Sequence, residues 1–300
     1  MPTLWIVCPC FFDVQSFQKL KSDVIEVLTP FSANWKLMFF LIDDSSGTDS
    51  EIKGLKTGAN LEVLQTPYTL GHQGALVYGL RKLGTRIAEQ DFIVTMDADG
   101  EDRPIDLPVL LKSLCDHPNH LSKIALAKRT FRKESRPFKI AYFLFKLAFR
   151  TLTGTVILNG NFAAYRGWFL KEIINHPHFD QCYSSSFISL PLQIEFVPLP
   201  RGTRFFGHSH MGYFKLVTHG LRMLMPFTEQ IAVRGLIASS ILIMISVSSS
   251  LVLLRISRTA ALGSFCLAIS LILFSVLCVL LFATFSQSKA GSLRLLRDPK

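Results

Sequence analysis

The chain has 300 residues, a mean hydropathy of +0.34 and a formal net charge of +10, from 32 basic and 22 acidic residues. This length allows one globular domain with an appendage. No helix-turn-helix, zinc-finger or RNA-recognition pattern accompanies the positive charge, so we expect anionic lipids and phosphates as partners rather than nucleic acid. The cysteines show no spacing typical of disulfides or zinc sites, and no basic leader of a signal peptide precedes the first apolar run.

Short apolar runs alternate with segments of helical periodicity through most of the chain. We predict strands at 4–8, 37–42, 61–64, 91–96, 123–127 and 162–165. Helices are predicted at 14–28, 74–83 and 137–152. This alternation is typical of an α/β domain in which helices cover both faces of a largely parallel sheet.

Aspartates follow the predicted strands at their carboxyl ends. Asp13 comes after the first strand, Asp43 and Asp44 after the second, and Asp97 and Asp99 after the fourth. In parallel sheets, ligands bind beyond the carboxyl ends of the strands. The sequence therefore predicts a ligand site at this edge of the sheet.

Two stretches near the C-terminus contain no charged residue, 235–254 and 259–288. Each is long enough as a helix to cross the ~30 Å hydrocarbon core of a bilayer. We predict transmembrane helices at about 235–254 and 259–287, joined as a hairpin within residues 231–288. Two buried helices of a soluble protein are the alternative interpretation. The serines of the first span indicate helix packing, and a homo-oligomer is possible.

Basic residues are more numerous outside the predicted hairpin than in its loop. Those outside are Arg234, Lys289, Arg294, Arg297 and Lys300, and those in the loop are Arg255 and Arg258. The positive-inside rule then places residues 1–230 and the basic tail 289–300 in the cytoplasm. We expect a multi-pass protein of the inner (plasma) membrane, with amphipathic helices near 137–152 and 212–228 at its surface. For the first of these, a packed domain helix is the alternative.

The segment Asp97-Ala98-Asp99 places two carboxylates where a strand gives way to a turn. A hard cation takes oxygen ligands from carboxylates and phosphates together, so this pair is suited to hold Mg²⁺ or Mn²⁺ against a diphosphate. An isolated Asp-x-Asp is also common in solvated turns, so its neighbours in the sequence decide its meaning.

Four segments in order carry a family pattern. They are Ile6-Val7-Cys8-Pro9-Cys10-Phe11-Phe12-Asp13, Leu41-Ile42-Asp43-Asp44-Ser45-Ser46-Gly47-Thr48-Asp49, Gly71-His72-Gln73-Gly74-Ala75 and Val94-Thr95-Met96-Asp97-Ala98-Asp99-Gly100-Glu101-Asp102-Arg103-Pro104. Together they resemble family 2 glycosyltransferases, which implies a Rossmann-like domain of GT-A type. Thr153-Gly154, Tyr165-Arg166 and the segment 204–210, followed by two spans, resemble the polyprenyl-phosphate branch of that family, which includes dolichol-phosphate mannose synthases.

The resemblance implies a site for a UDP- or GDP-sugar. Pro9, Asp13 and Asp44 would line the pocket for base and ribose, and Asp97 would lie near the nucleoside and diphosphate. Asp99 would bind Mg²⁺ or Mn²⁺. Glu101, which stands where the family often has Gln, would lie near the same ion.

Candidate residues for the transfer step come from later segments: Arg129, Arg132, Asn161, Arg204, Ser209 and His210, with Arg136 as a further phosphate ligand. The segment 129–136 could also be a solvated loop. Where relatives commonly have Gly-x-Ser-Lys, this chain has Gly207-His208-Ser209-His210. Asn161 stands where many relatives carry Asp, and an amide cannot act as a general base.

The resemblance therefore implies an inverting transferase that moves a sugar from a nucleotide-sugar to a polyprenyl phosphate, either undecaprenyl or dolichyl phosphate. A lipid phosphate is already anionic, so its transferase can do without a strong base. Two alternatives stay open. One is a transferase acting on another lipid or a polysaccharide, and the other is an impaired relative acting as a membrane scaffold.

Overall fold

The computed structural model describes residues 1–55, 58, 60–115, 124–130, 136–207, 212–254 and 257–297. The chain divides into two compact units. The sheet unit consists of Met1–Ala141 and Ile157–Met223, and the helical unit consists of Tyr142–Val156 and Leu224–Lys300.

The sheet unit is built on seven strands within the part of the chain that the structure describes. They are β1 (Thr3–Cys10), β2 (Lys36–Asp43), β3 (Leu61–Gln65), β4 (Phe92–Thr95), β5 (Ile124–Arg129), β6 (Asn159–Arg166) and β7 (Ile194–Leu199). Their order across the sheet is β3-β2-β1-β4-β6-β5-β7, and β6 is antiparallel to its neighbours while the other strands run parallel. The predicted α/β class with a mostly parallel sheet is confirmed. No strand is predicted at β7, because Glu195 and Pro198 interrupt its apolar run.

Ten α-helices lie in the described parts of the chain. They are α1 (Val14–Leu28), α2 (Ser50–Lys53), α3 (His72–Gly84), α4 (Leu107–Cys115), α5 (Arg136–Thr153), α6 (Gly167–Ile173), α7 (Tyr183–Ser189), α8 (Tyr213–Leu224), α9 (Thr228–Leu253) and α10 (Arg258–Arg297). The predicted helices at 14–28, 74–83 and 137–152 correspond to α1, α3 and α5.

Two hydrophobic cores hold the helices on opposite faces of the sheet. On one face, α1 presents Phe17, Leu20 and Val24 at helical spacing, and each is fully buried. The ring of Phe17 meets Phe39 of β2 edge to face, 6.3 Å between centroids. Helix α4 shares this core, whereas α3, α6 and α7 pack on the other face. Each fully buried aliphatic or aromatic side chain contributes about 1.5–3 kcal/mol relative to exposure.

Strand register decides which polar residues meet at the carboxyl edge of the sheet. Asp43 of β2 pairs with Cys10 of β1, so the residues after these strands leave the sheet at the same level. Across the antiparallel pair of β4 and β6, Thr95 lies opposite Ala163. Asp97 lies two residues after Thr95 and Asn161 two residues before Ala163, so the antiparallel register brings these two side chains together.

The helical unit contains two long apolar helices that pack on each other. The hydroxyls of Ser239 and Ser275 lie 2.6 Å apart across α9 and α10, and those of Ser249 and Ser264 lie 2.7 Å apart. Ser239 and Ser249 of the first predicted span thus pair within this hairpin. Among the described residues, stretches Leu216–Val252 and Arg258–Thr284 are long and apolar enough to cross a membrane. The assignment of 1–230 to the cytoplasm stays a prediction.

Candidate functional site

The carboxylates predicted to follow β4 lie in a tight turn, residues 97–102, which we call the acidic turn. The backbone N–H of Asp97 donates to Asp102 Oδ2 at 3.0 Å, and that of Glu101 donates to Asp99 Oδ1 at 3.0 Å. Gly100 has φ +87°, and a Cβ at this position would lie 2.6 Å from the ring of Phe205. A glycine is therefore required for the turn to close against the segment that follows β7.

Three arginines bind the carboxylates of this turn. Arg129, at the end of β5, donates to Asp102 Oδ1 at 3.1 Å. Arg204 donates to Asp99 Oδ2 at 3.0 Å and also pairs with Asp13, and Arg201 pairs with Glu101. Backbone hydrogen bonds hold the segment 201–205 against the acidic turn. Gly202 N–H donates to Glu101 O and Phe205 N–H donates to Asp99 O, both at 2.8 Å.

The structure thus brings five of the predicted site residues into one network: Asp13, Asp99, Glu101, Arg129 and Arg204. Arg132, Ser209 and His210 lie outside the described residues, and so does the side chain of Arg136. Their predicted roles stay predictions.

Asp44 is buried at the end of β2 and holds the loop that precedes α3. Its Oδ1 accepts from the backbone N–H of Leu70 at 2.7 Å and from Thr66 Oγ1 at 3.4 Å. Burial raises the pKa of this carboxyl, although the hydrogen bonds oppose the shift. Pro9 is buried within β1. Both residues lie at the predicted edge of the sheet, where Asp44 N–H donates to Cys10 O at 2.9 Å.

A cavity of about 360 Å³ opens beside the arginine network. Its lining includes Phe12, Asp13 and Arg204, together with Asp49 and Glu51 at the start of α2. This volume lies within the range of small-molecule sites.

Asp97 lies at the centre of a second network, on the side of α3. His72 Nε2 is 3.0 Å from Asp97 Oδ1, and Asn161 Nδ2 donates to the same oxygen at 3.3 Å. Gln73 Nε2 donates to Asn161 Oδ1 at 2.6 Å. Asn161, a predicted site residue, thus lies beside Asp97, and its predicted role in the transfer step stays a prediction.

The crowded carboxylates of the acidic turn have opposite pKa shifts. Burial disfavours charge on Asp97, but His72, Arg129 and Asn161 outweigh it and lower the pKa of this carboxyl. Burial and the charge of Asp97 raise the pKa of Asp99 to about 6 and that of Asp102 to about 7. Burial lowers the pKa of the His72 imidazole, but Asp97 and the neighbouring carboxylates outweigh it and raise it overall. The turn therefore has excess negative charge that an added cation would relieve.

No group of three or more His, Cys, Asp or Glu side chains in the described ranges is arranged to hold a metal ion. The oxygens of Asp99 and Glu101 are nonetheless hard donors in a site of excess negative charge. A divalent cation there would complete its shell from a bound diphosphate and water, which is how Mg²⁺ is commonly held. The residues fit a metal that binds together with a phosphate ligand.

Three residues of the site have no role assigned from the sequence pattern: His72, Asp102 and Arg201. His72 and Asp102 lie inside segments that carry the family resemblance. Their position in those segments could have indicated a role at the site. Arg201 precedes the last predicted segment, and nothing local distinguishes it from a solvated arginine.

Comparisons with known proteins agree with this fold. Residues 34–174 match the sequence model of glycosyl transferase family 2. No curated protein sequence matches the chain significantly. Glucosyl-3-phosphoglycerate synthase from Mycobacterium tuberculosis, solved with Mn²⁺, UDP and phosphoglyceric acid, aligns with TM-score 0.50 at 16% identity, covering 77% of this chain and 78% of that one. Mannosyl-3-phosphoglycerate synthase from Rubrobacter xylanophilus aligns with TM-score 0.51 at 14% identity, covering 77% and 74%.

At such identities the structural likeness establishes the fold, which is of GT-A type. The fold and the family match together define the class of the protein, an enzyme of glycosyl transfer. The chain contains a glycosyltransferase family 2 domain.

Proposed function

We propose that this protein is a membrane-anchored inverting glycosyltransferase that moves a sugar from a UDP- or GDP-sugar to a polyprenyl phosphate. The observation that carries the proposal is the acidic turn with its arginines at the carboxyl edge of the sheet. Carboxylates that favour a divalent cation and guanidiniums that favour phosphates alternate there within hydrogen-bond distance. Such a site suits a substrate whose reacting centre lies between phosphates.

On the donor side, Asp13 and Arg204 border the cavity that would receive the nucleotide. Pro9 and Asp44 would line the part of the pocket that contacts the base and ribose. Asp99, with Glu101, would hold Mg²⁺ or Mn²⁺, and this ion would neutralise the charge that develops on the departing diphosphate. The Mycobacterium tuberculosis enzyme, which was solved with Mn²⁺ and UDP, supports this choice of ligands by analogy.

On the acceptor side, an anionic phosphate explains why no carboxylate stands at position 161. In the proposed reaction, an acceptor phosphate oxygen attacks C1 of the sugar while the bond from C1 to the diphosphate breaks, which inverts the anomeric configuration. No proton has to leave the attacking oxygen, so the amide of Asn161 is compatible with catalysis. Arg129 and Arg204 would hold the two phosphates in line.

The helical unit supports a lipid acceptor and a membrane location. Within residues 233–282, helices α9 and α10 expose many large apolar side chains, among them Ile245, Leu251, Leu262 and Leu273. Water disfavours such a surface, whereas a bilayer accommodates it. With both outer ends of the hairpin in the cytoplasm, the sheet unit would meet its lipid acceptor at the inner face of the inner (plasma) membrane.

The proposal is tested with the purified full-length protein in detergent, Mn²⁺ or Mg²⁺, polyprenyl phosphate and a panel of UDP- and GDP-sugars. We expect one donor to yield a lipid-linked sugar detectable by chromatography. Donor consumption without a lipid-phosphate product would indicate another lipid or a polysaccharide as acceptor. If no donor is consumed at all, the enzymatic proposal fails and the scaffold interpretation takes its place.

Metal binding should depend on pH because the pKa of Asp99 is raised to about 6. Protons compete with the cation below this value, so we expect the Kd for Mn²⁺ to be about tenfold weaker at pH 5 than at pH 7. An aspartate of ordinary pKa, about 3.9, would give almost no change in this range. Titration of the protein with Mn²⁺ alone, followed by electron paramagnetic resonance, measures the effect without the ionisation of a nucleotide phosphate. A Kd independent of pH would exclude Asp99 as the ligand.

A further inference from the structure

The two carboxylates proposed to bind the metal ion each pair with an arginine from the segment 201–205. Arg204 Nη1 donates to Asp99 Oδ2 at 3.0 Å, and Arg201 donates to a carboxylate oxygen of Glu101. The second oxygen of Asp99, Oδ1, accepts the backbone N–H of Glu101 at 3.0 Å. Asp99 thus contacts positive charge through Oδ2, and in this structure that charge is a guanidinium.

A guanidinium and a divalent cation would compete for Asp99. A guanidinium has five N–H donors and no lone pair, so it cannot become a ligand of the ion. Two positive groups on one carboxylate repel each other, and the repulsion is stronger where little water screens it. The Asp99 and Arg204 side chains are only 16% and 22% exposed. Binding of a divalent cation to Asp99 therefore requires Arg204 to leave this carboxylate.

The main chain that carries the two arginines does not have to move for this exchange. Gly202 N–H donates to Glu101 O and Phe205 N–H donates to Asp99 O, both at 2.8 Å, so the backbone is fixed on the acidic turn. A partly exposed arginine side chain changes rotamer far faster than a loop opens. Rotation about the side-chain bonds of Arg204 is therefore sufficient to release Asp99.

Arg204 also lies at the cavity proposed for the nucleotide. Its guanidinium pairs with Asp13, and both residues line this cavity. A nucleoside diphosphate there would bring phosphoryl oxygens, which bind guanidiniums through charge-assisted hydrogen bonds. An arginine released from Asp99 would then gain a new anionic partner, whereas without the nucleotide it would keep only Asp13. The exchange is therefore easier when the metal ion and the diphosphate bind together.

We propose that Arg204 is an exchangeable counter-ion, which neutralises Asp99 before substrate binds and moves to the diphosphate when the metal ion and the nucleotide enter. Arg201 acts in the same way on Glu101. The exchange couples the two ligands, so each binds more tightly when the other is present, and the coupling is reciprocal. The inference rests on the proposed function and adds to it a control on how the metal ion and the nucleotide bind.

Arg204→Met tests the exchange, because it should change two affinities in opposite directions. Without the guanidinium, the Kd for Mn²⁺ alone should fall by about tenfold, as for loss of a competing charged hydrogen bond. The diphosphate loses a ligand, so the Kd for UDP or GDP at saturating Mn²⁺ should rise by about tenfold. Electron paramagnetic resonance measures the first Kd at pH 8, where protons compete little with the ion, and calorimetry measures the second.

Arg103→Met is the matched control for the loss of a positive charge. Arg103 follows the acidic turn directly, but its guanidinium binds Asp106 at 2.9 and 3.0 Å. Both Kd values should stay within about twofold of those of the unsubstituted protein.

Arg204→Lys is a second variant, which provides the test if Arg204→Met does not fold. Its ammonium keeps the charge but is a single point that cannot bridge Asp13 and Asp99 as the guanidinium does. Both Kd values should change in the same directions as in Arg204→Met, by about threefold. Tryptophan fluorescence verifies that each variant is folded.

The opposite signs distinguish this proposal from simpler roles of Arg204. A residue that only supports the fold would weaken both affinities when it is replaced. An arginine that binds phosphate without opposing the metal ion would leave the Kd for Mn²⁺ unchanged. Either result would overturn the proposal, and so would a crystal structure with Mn²⁺ on Asp99 and bound nucleotide in which Arg204 still contacts Asp99. These measurements contain no acceptor, so a missing lipid-phosphate product would count against the proposed function only.

Discussion

Asp99→Asn is expected to reduce metal-dependent glycosyl transfer by roughly a thousandfold or more. The substitution removes the charge that would hold the divalent cation, and stabilisation of the leaving diphosphate by such an ion amounts to several kcal/mol. It also leaves Arg204 paired with Asp13 alone in the acidic network. Initial rates of donor turnover, measured at saturating Mn²⁺ for the substituted and unsubstituted proteins, give the ratio directly.

Asp180→Asn provides the matched control for this experiment. Asp180 is also an aspartate paired with an arginine, Arg81 at 2.6 Å, but it is solvent-exposed and belongs to no part of the acidic turn. Its loss should leave turnover within about twofold of normal, since exposed pairs contribute little. Turnover in Asp99→Asn equal to that of the control would remove Asp99 from the metal site.

Arg129→Met is expected to destabilise the protein by about 1–2 kcal/mol at pH 8, because it leaves the buried Asp102 carboxylate without its partner. Asp102 is only 3% exposed and Arg129 is 14% exposed at the side chain. Activity should fall as well, since Arg129 would contact phosphate. Denaturant unfolding in detergent, followed by tryptophan fluorescence, gives the change in the free energy of unfolding.

The pH dependence of the free energy of unfolding identifies the cause of the destabilisation in Arg129→Met. Burial and Asp97 already raise the pKa of Asp102 to about 7, and removal of Arg129 should raise it further. At a pH below its pKa the Asp102 carboxyl is neutral and needs no counter-charge. The difference in the free energy of unfolding between the substituted and unsubstituted proteins should therefore shrink as the pH falls from 8 to 5. Arg129→Met combined with Asp102→Asn should recover part of the stability at pH 8.

Arg103→Met is the control for stability. Arg103 pairs with Asp106 at 2.9 Å, but its side chain is 37% exposed, so its loss should cost less than about 1 kcal/mol. The assignment of a buried ion pair would be contradicted if both arginine substitutions lowered the free energy of unfolding equally. It would also be contradicted if the destabilisation in Arg129→Met did not change with pH.

Much of the fold follows from local sequence. The uninterrupted apolar runs of β1 and β2 lie between two helical layers, and such strands are recognisable because both of their faces are buried. The aspartates at the strand ends could be placed for the same reason. Strand β7 was not predicted in this way. Glu195 and Pro198 are compatible with a strand at the edge of the sheet, but they do not indicate one.

The partners within the site could not be read from the sequence. Arg204 meets Asp13 and Asp99 because the segment after β7 crosses back over the acidic turn, and contacts between residues so distant in the chain depend on the whole topology. The position of Asn161 beside Asp97 depends on the register of β4 and β6. Local composition contains neither of these pieces of information.

The proposed function requires that the acidic turn binds a divalent cation together with a nucleoside diphosphate. The most direct measurement is the position of Mn²⁺, located by anomalous scattering in crystals of the full-length protein grown with Mn²⁺ and UDP or GDP. We expect one strong peak within coordination distance of the Asp99 carboxylate and of the diphosphate oxygens. A nucleotide bound without a peak at Asp99, or Mn²⁺ bound away from the acidic turn, would contradict a metal site in this turn.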